Sequence, residues 1–183
     1  MALQGDFDRH RAMLQSLGVR VMLVKTQPEL EQCDGLIIPG GESTTLSLLL
    51  NKHGLWDELI IYGKERPVFG TCAGLIMLSR TITREPVKTL GLIDIETARN
   101  AYGRQVDSFI DDINVNVNGS EQIIEGYFIR APKIVALGQG VRALARHGEN
   151  VVMAEQNNIL VASFHPELSD NTLVHSYFIS KLN

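Results

Sequence analysis

VFGTCAGLIMLS, residues 68–79, places one cysteine, Cys72, in an apolar run and surrounds it with Gly70, Thr71, Ala73 and Gly74. Residues 67–70 read as a strand and 73–79 as a helix, so Cys72 falls on a sharp strand-to-helix turn of the form G-x-nucleophile-x-G. Such a turn strains the central residue and brings neighbouring chain close. Glycines two before and two after it remove the Cβ atoms that would clash. A helix starting at Ala73 aims its positive end at the sulfur, which favours the thiolate. The Ala73 N–H can face a developing oxyanion. The plain alternative is a small core residue. That reading suits Cys33 in EQCDG, whereas the turn around Cys72 points to a presented thiol.

Working outward, short β-type runs alternate with helical patterns, which predicts an α/β fold with helices covering a mostly parallel sheet. A helix is expected over residues 6–18, capped by Asp6, with Met13, Leu14 and Leu17 on one face and Gly18 as its stop. Residues 19–24 read as a strand, 28–32 as a short helix and 35–38 as a strand ending at Pro39. Helices over 44–51 and 55–65 follow. The middle differs: residues 92–98, 108–117 and 126–131 read as strands without long helices between them, hence hairpins or an antiparallel extension. Residues 151–155 and 159–164 form a hairpin around Asn157-Asn158, and 171–182 a closing helix. The opening MALQG reads as the end of a strand and a turn, so the first strand is either very short or continues into residues upstream of Met1. With no repeat, linker or low-complexity tract, residues 1–183 are expected to form a single domain.

A thiol nucleophile needs a base, usually histidine, and the chain has five. His10 lies among charges on the first helix and is expected to be solvated. His53 and His147 sit near predicted helix ends beside glycine, where capping is expected. His175, on the last helix, is either packed or exposed. His165 in ASFHPEL differs, because it follows a strand directly, at the sheet end where active sites of parallel sheets lie. Glu167, two residues on, can accept a hydrogen bond from the imidazole. The alternative is a turn with a capping acid. A third loop, PGGEST at 39–44, also follows a strand. Its glycines allow close approach to a ligand, and Gly41 N–H can be a second oxyanion donor. The alternatives are a phosphate loop, which the absence of GK[ST] disfavours, and a plain turn into a helix capped by Ser43.

Composition narrows the function. Hydrophobic residues are 44% of the 183, the net charge is −4, and only two cysteines occur. These values argue against a disordered chain, a nucleic-acid binder and a disulfide framework. No run reaches the ~18 apolar residues of a membrane span. The expectation is a cytoplasmic protein with neither metal nor cofactor, no nucleic-acid partner and no membrane.

Taken together, PGGES, GTCAG and SFHPE resemble the class I, triad-type glutamine amidotransferases. ALQGD, PGGESTT, FGTCAGLI, RNAYGRQVDSF, FIRAP and ASFHPEL, in order from residue 2 to residue 168, are similar within that group to the glutaminase subunits of pyridoxal 5′-phosphate synthases. Two departures stand out: only Met1 and Ala2 precede Leu3 where the family has a short apolar strand, and Ala98 stands where an acid usually precedes Arg99-Asn100. The resemblance implies a three-layer, flavodoxin-like sandwich with an antiparallel extension. It implies Cys72 as nucleophile, with His165 and Glu167 completing the triad and an oxyanion hole at Gly41 and Ala73. Gly41, Glu42 and Ser43 would hold L-glutamine, and Arg99, Ile129 and Arg130 would close the pocket. The implied partner is a (β/α)₈-barrel synthase that uses the released ammonia to make pyridoxal 5′-phosphate from ribose 5-phosphate and glyceraldehyde 3-phosphate. The rival readings are a glutaminase serving another synthase, a cysteine redox sensor on the same fold, which would have no use for a His165–Glu167 base, and a cysteine peptidase.

Overall fold

The computed structural model describes residues 1–83, 87–99 and 108–182. The expected RNAYGRQVDSF segment lies mostly outside them. In chain order the first elements are α1 (Phe7–Ser16), α2 (Gln27–Glu31), β1 (Leu36–Ile38), α3 (Ser43–Lys52), α4 (Trp56–Glu65), β2 (Val68–Thr71) and α5 (Ala73–Leu78). Then come β3 (Ser79–Thr83), β4 (Ile93–Ala98), β5 (Ser108–Val117), β6 (Ser120–Ile129), β7 (Lys133–Leu137), β8 (Arg142–His147), β9 (Asn150–Gln156) and β10 (Ile159–Ala162). A 3₁₀ turn (Pro166–Leu168) and α6 (Leu173–Ile179) close the chain.

The runs LII, VFGT and ILVA are buried along their whole length, as strands covered on both faces must be. They pair in parallel as β1–β2–β10, with Ile38 opposite Gly70 and Gly70 opposite Val161. Side chains alternate across this sheet. Leu36, Ile38, Val68, Ile159 and Val161 pack with Leu46 and Leu50 of α3, Leu59 of α4 and Leu75 of α5. Ile37, Phe69, Leu160 and Ala162 face the other way, onto Val174, Tyr177 and Phe178 of α6 and Leu14 of α1. That gives the three expected layers. α5 is buried along its whole length, which suits a helix that is apolar all round.

Among the described residues the sheet continues antiparallel through β9, β8, β5 and β6. This is the expected extension, built on the β5–β6 and β9–β10 hairpins. Asn157, at φ 52°, makes the tight β9–β10 turn. A second sheet of β3, β4 and β7 packs beside it. β3 (SRTIT), β7 (KIVAL) and β8 (RALARH) were not expected, being short and partly polar. β6 begins at Ser120, earlier than the expected 126, because its polar first half pairs along β5.

Other boundaries moved too. Residues 19–24 form no regular strand; Val24 accepts a hydrogen bond from Ala2 N–H at 2.8 Å. The Met1 amino group donates to Ile37 O at 2.6 Å, so the first residues lie between this segment and β1. A cavity of about 360 Å³ is lined there by Met1, His10, Leu14, Val21 and Leu36. The closing helix, Leu173–Ile179, is shorter at both ends than the expected 171–182; at its start the Asn171 side chain accepts from Leu173 N–H at 2.9 Å, a local turn that keeps residues 171–172 out of the helix. Asp6 is the residue before α1 but makes no side-chain cap bond.

Candidate active site

Cys72 sits where β2 turns into α5, with φ 49° and ψ −103°, a conformation that a side chain holds only under strain. Two contacts enforce it. Cys72 N–H donates to Ala162 O at 2.9 Å, tying the turn to the end of β10. Gly70 and Gly74 pack against each other so closely that a Cβ on Gly70 would lie 2.6 Å from the Gly74 carbonyl carbon, and one on Gly74 would lie 2.1 Å from Ile38 O. The small residues around the thiol are therefore what the bend needs. The thiol is buried and its Sγ lies 3.8 Å from Ile129 O.

β10 runs on through Ser163 and Phe164 to His165, whose N–H is held by Tyr127 O at 2.8 Å. Parallel neighbours β2 and β10 thus end side by side, and Cys72 and His165 line the same cleft. Gly40 presses on both: a Cβ there would lie 2.4 Å from His165 Cε1 and 3.3 Å from Cys72 Cβ. His165 Nδ1 faces Glu167 Oε1 at 2.7 Å, leaving Nε2 for the thiol. Burial opposes a charged imidazole, but hydrogen bonds and charge from Cys72 and Glu167 outweigh it and pull the His165 pKa up to about 10. Burial likewise opposes the Glu167 carboxylate. Contact with His10, and then with His165, holds its carboxyl well below the usual range.

The cleft, about 410 Å³, falls in the ~300–1,000 Å³ range of small-molecule sites. Gly41, Glu42 and Ser43 line it from the loop after β1, and Ala73 from the first turn of α5. Arg99, Ile129 and Arg130 line it from the extension. Every expected pocket residue is thus brought to one place, with Glu167 behind His165. Gln4 joins them and accepts a hydrogen bond from Glu42 N–H at 3.1 Å. Arg130 has φ 42°.

Three expectations change. The cap of α3 is Glu42, not Ser43: the Glu42 carboxylate accepts from Thr44 N–H at 3.0 Å and from Thr45 N–H and Oγ1 at 2.6 Å each. Its longer side chain reaches two amides, and an anion suits a helix N-terminus. The Thr45 hydroxyl leads in holding its carboxyl down to about 2, against partial burial. Arg99 Nη2 stands 3.4 Å from it. His147 lies on β8 rather than at a helix end, and pairs with Asp111 at 2.8 Å. His10 is not solvated: it is 3% exposed, with Nδ1 2.9 Å from His175 Nε2 and Nε2 3.2 Å from Thr71 Oγ1. The charges beside it turn outward, where Arg11 pairs with Asp8 at 2.9 Å. Spacing carried the signal, since His10 stands four residues before Leu14 and seven before Leu17, on the face assigned to the core. His175 is fully buried, and burial, reinforced by His10, pushes its pKa down to about 3. His53 does end α3. Among the described residues no group of three or more His, Cys, Asp or Glu is arranged to hold a metal ion.

The chain is 50% identical to the pyridoxal 5′-phosphate synthase subunit PdxT of Thermosipho africanus over 179 residues, 97% of this chain and 94% of that one. It is 48% identical to the PdxT subunit of Francisella tularensis subsp. novicida over 180 residues, 98% and 96% of the two chains. A crystal structure of a glutamine amidotransferase superposes with a TM-score of 0.92 at 42% identity, covering 98% of this chain and 95% of that one. A glutamine amidotransferase from Thermotoga maritima, at 13% identity and a TM-score of 0.56 over 97% of this chain and 77% of that one, shares the fold. The model of the SNO glutamine amidotransferase family matches residues 1–183, and the chain belongs to that family.

Proposed function

We propose that the chain is the glutaminase subunit of a pyridoxal 5′-phosphate synthase, acting as one domain that hydrolyses L-glutamine to L-glutamate and ammonia. One observation carries the reading: a strained, glycine-flanked cysteine and a histidine backed by a carboxylate share one cleft in a chain about half identical to PdxT subunits.

In this mechanism the Cys72 thiolate attacks the side-chain carboxamide carbon of glutamine. The oxyanion is received by backbone N–H groups of Ala73 and Gly41; losing one such donor typically costs about 10²–10³-fold in rate. Ala73 opens α5, where N–H groups have no partner within the helix. His165 Nε2 gives its proton to the departing ammonia, then takes one from the water that releases glutamate from the thioester. Glu167 holds Nδ1–H and so fixes which nitrogen faces the sulfur. Gly41, Glu42 and Ser43 on one rim and Arg99, Ile129 and Arg130 on the other hold the substrate.

Ammonia is largely protonated in water and then no longer a nucleophile, so a synthase docked over the cleft must receive it directly. We assign that role to a (β/α)₈-barrel subunit. Gln4, bonded to the Glu42 amide, ties the chain start to the oxyanion loop, so docking beside it would reset that loop. The two free cysteines and a thiol mechanism suit a reducing cytoplasm.

The test is a glutaminase assay of wild type and Cys72→Ala, each with and without the barrel synthase. Wild type should be active and stimulated by the partner, and Cys72→Ala inactive. Activity surviving in Cys72→Ala would exclude the mechanism, and equal wild-type rates with and without synthase would exclude the coupling.

A further inference from the structure

Glu167 uses only one of its oxygens on His165. The other, Oε2, is buried without a well-aligned hydrogen bond, and the nearest ion-pair partner is His10 Nε2 at 3.3 Å. His10 reaches it from α1, a helix remote in sequence from the 3₁₀ turn that carries Glu167. The same nitrogen lies 3.2 Å from the Thr71 hydroxyl, on the residue just before Cys72. On the far side, His10 Nδ1 meets His175 Nε2 of α6 at 2.9 Å, and the Phe69 ring of β2 stands edge-on to both imidazoles. A line of polar side chains thus runs from the cleft into the core: His165, Glu167, His10, His175.

We infer that His10 is a positioning residue for the hydrolysis, standing against the inner oxygen of Glu167 and hydrogen-bonded to the Thr71 hydroxyl, so that the base and the nucleophile turn keep one fixed relation. The inference rests on the Cys72–His165–Glu167 reading and deepens it. Nε2 must carry a proton to serve a carboxylate, and Nδ1 is then free to accept from His175 Nε2–H. His175 therefore sets the His10 tautomer, as Glu167 sets that of His165. Without His10, the buried Oε2 would lose its one polar neighbour among the described residues, and the carboxylate could swing from His165 to find another.

The experiment measures steady-state glutaminase kinetics of the complex with the barrel synthase, for wild type, His10→Leu, His10→Gln, His10→Asn and Cys72→Ala, with thermal melting of each. The glutamine amide places a donor where Nε2 was, whereas the asparagine amide stops at the level of Nδ1 and cannot reach Glu167. His10→Leu should lower kcat by about 10- to 100-fold, the weight of one hydrogen bond to a charged group, with KM within about twofold because His10 does not line the substrate cleft. His10→Gln should recover most of kcat, and His10→Asn should not. A His10→Leu enzyme with wild-type kcat, or one whose loss only tracks its folded fraction, overturns the inference. If His10→Leu does not fold, equal kcat for the glutamine and asparagine variants overturns it. Activity in Cys72→Ala would instead mean that the underlying triad reading had failed.

Discussion

Replacing Gly40 by alanine would drive a methyl group into the space shared by Cys72 and His165. The added Cβ would lie 2.4 Å from His165 Cε1, against about 3.4 Å for ordinary contact, so the imidazole or the loop must shift by roughly 1 Å. A misplacement of that size between reacting groups can cost about 10²-fold. Gly40 has no left-handed backbone conformation, so alanine is tolerated by the main chain, and the stability cost should stay near the ~1–3 kcal/mol of mild overpacking. The assay is glutaminase turnover of the synthase complex, paired with thermal melting and with the rate at which iodoacetamide alkylates Cys72. Turnover should fall by about 10²-fold with a folded protein whose thiol is still alkylated at about the wild-type rate. Turnover within twofold of wild type would refute the placement of Gly40 as the spacer between thiol and base.

Glu167→Gln should lower kcat by about 10²–10⁴-fold, since an amide can leave His165 in the wrong tautomer; glutaminase kinetics at saturating glutamine check it. Because the His165 pKa is raised to about 10, its proton should persist through neutral pH and be lost only as pH climbs towards that value. Cys72→Ala should move the midpoint down, read from imidazole chemical shifts in an NMR titration, and an unmoved midpoint would contradict the Cys72–His165 contact. Glu155 is held by Tyr177 Oη and Lys181 Nζ at 2.6 Å each and by Arg142, and although burial pushes its pKa up, these partners bring it below the usual value. Its stabilisation is present above the unfolded carboxyl pKa of ~4.3 and fades as pH falls through the lower folded value. Denaturant unfolding of Glu155→Gln should therefore show a deficit of about 1–3 kcal/mol at pH 7 that closes in acid.

The parts of the fold that were legible in the sequence were those where one force dominates. LII, VFGT and ILVA could only be strands buried on both faces, and each led into a loop whose glycines, cysteine or histidine declared a site. The elements that escaped notice were those decided by neighbours. SRTIT, KIVAL and RALARH are held by cross-strand pairing that no local pattern announces. Residues 19–24 have the apolar, β-branched composition of a strand, yet whether they form a ladder depends on what lies beside them. Ser43 has the composition of a cap, but Glu42 has the reach and the extended backbone. His10 was hidden by Arg9 and Arg11, whose charges suggested water, although helical spacing had already placed it inward. Composition weighed more than periodicity there, and periodicity was the better guide.

Nucleophile and base hang from the ends of adjacent strands, one clamped by Ala162 O and the other by Tyr127 O. The long excursion of chain that leaves β2 and returns in β10 therefore brings its two ends together at one ladder, and its own β6 supplies the carbonyl that holds the base. Segments of that excursion away from Tyr127 and the cleft-lining residues can lengthen, shorten or acquire new surfaces while the reacting atoms keep their separation. Such an architecture lets lineages tailor the outer rim to different recipients of the nitrogen without retuning the chemistry beneath it.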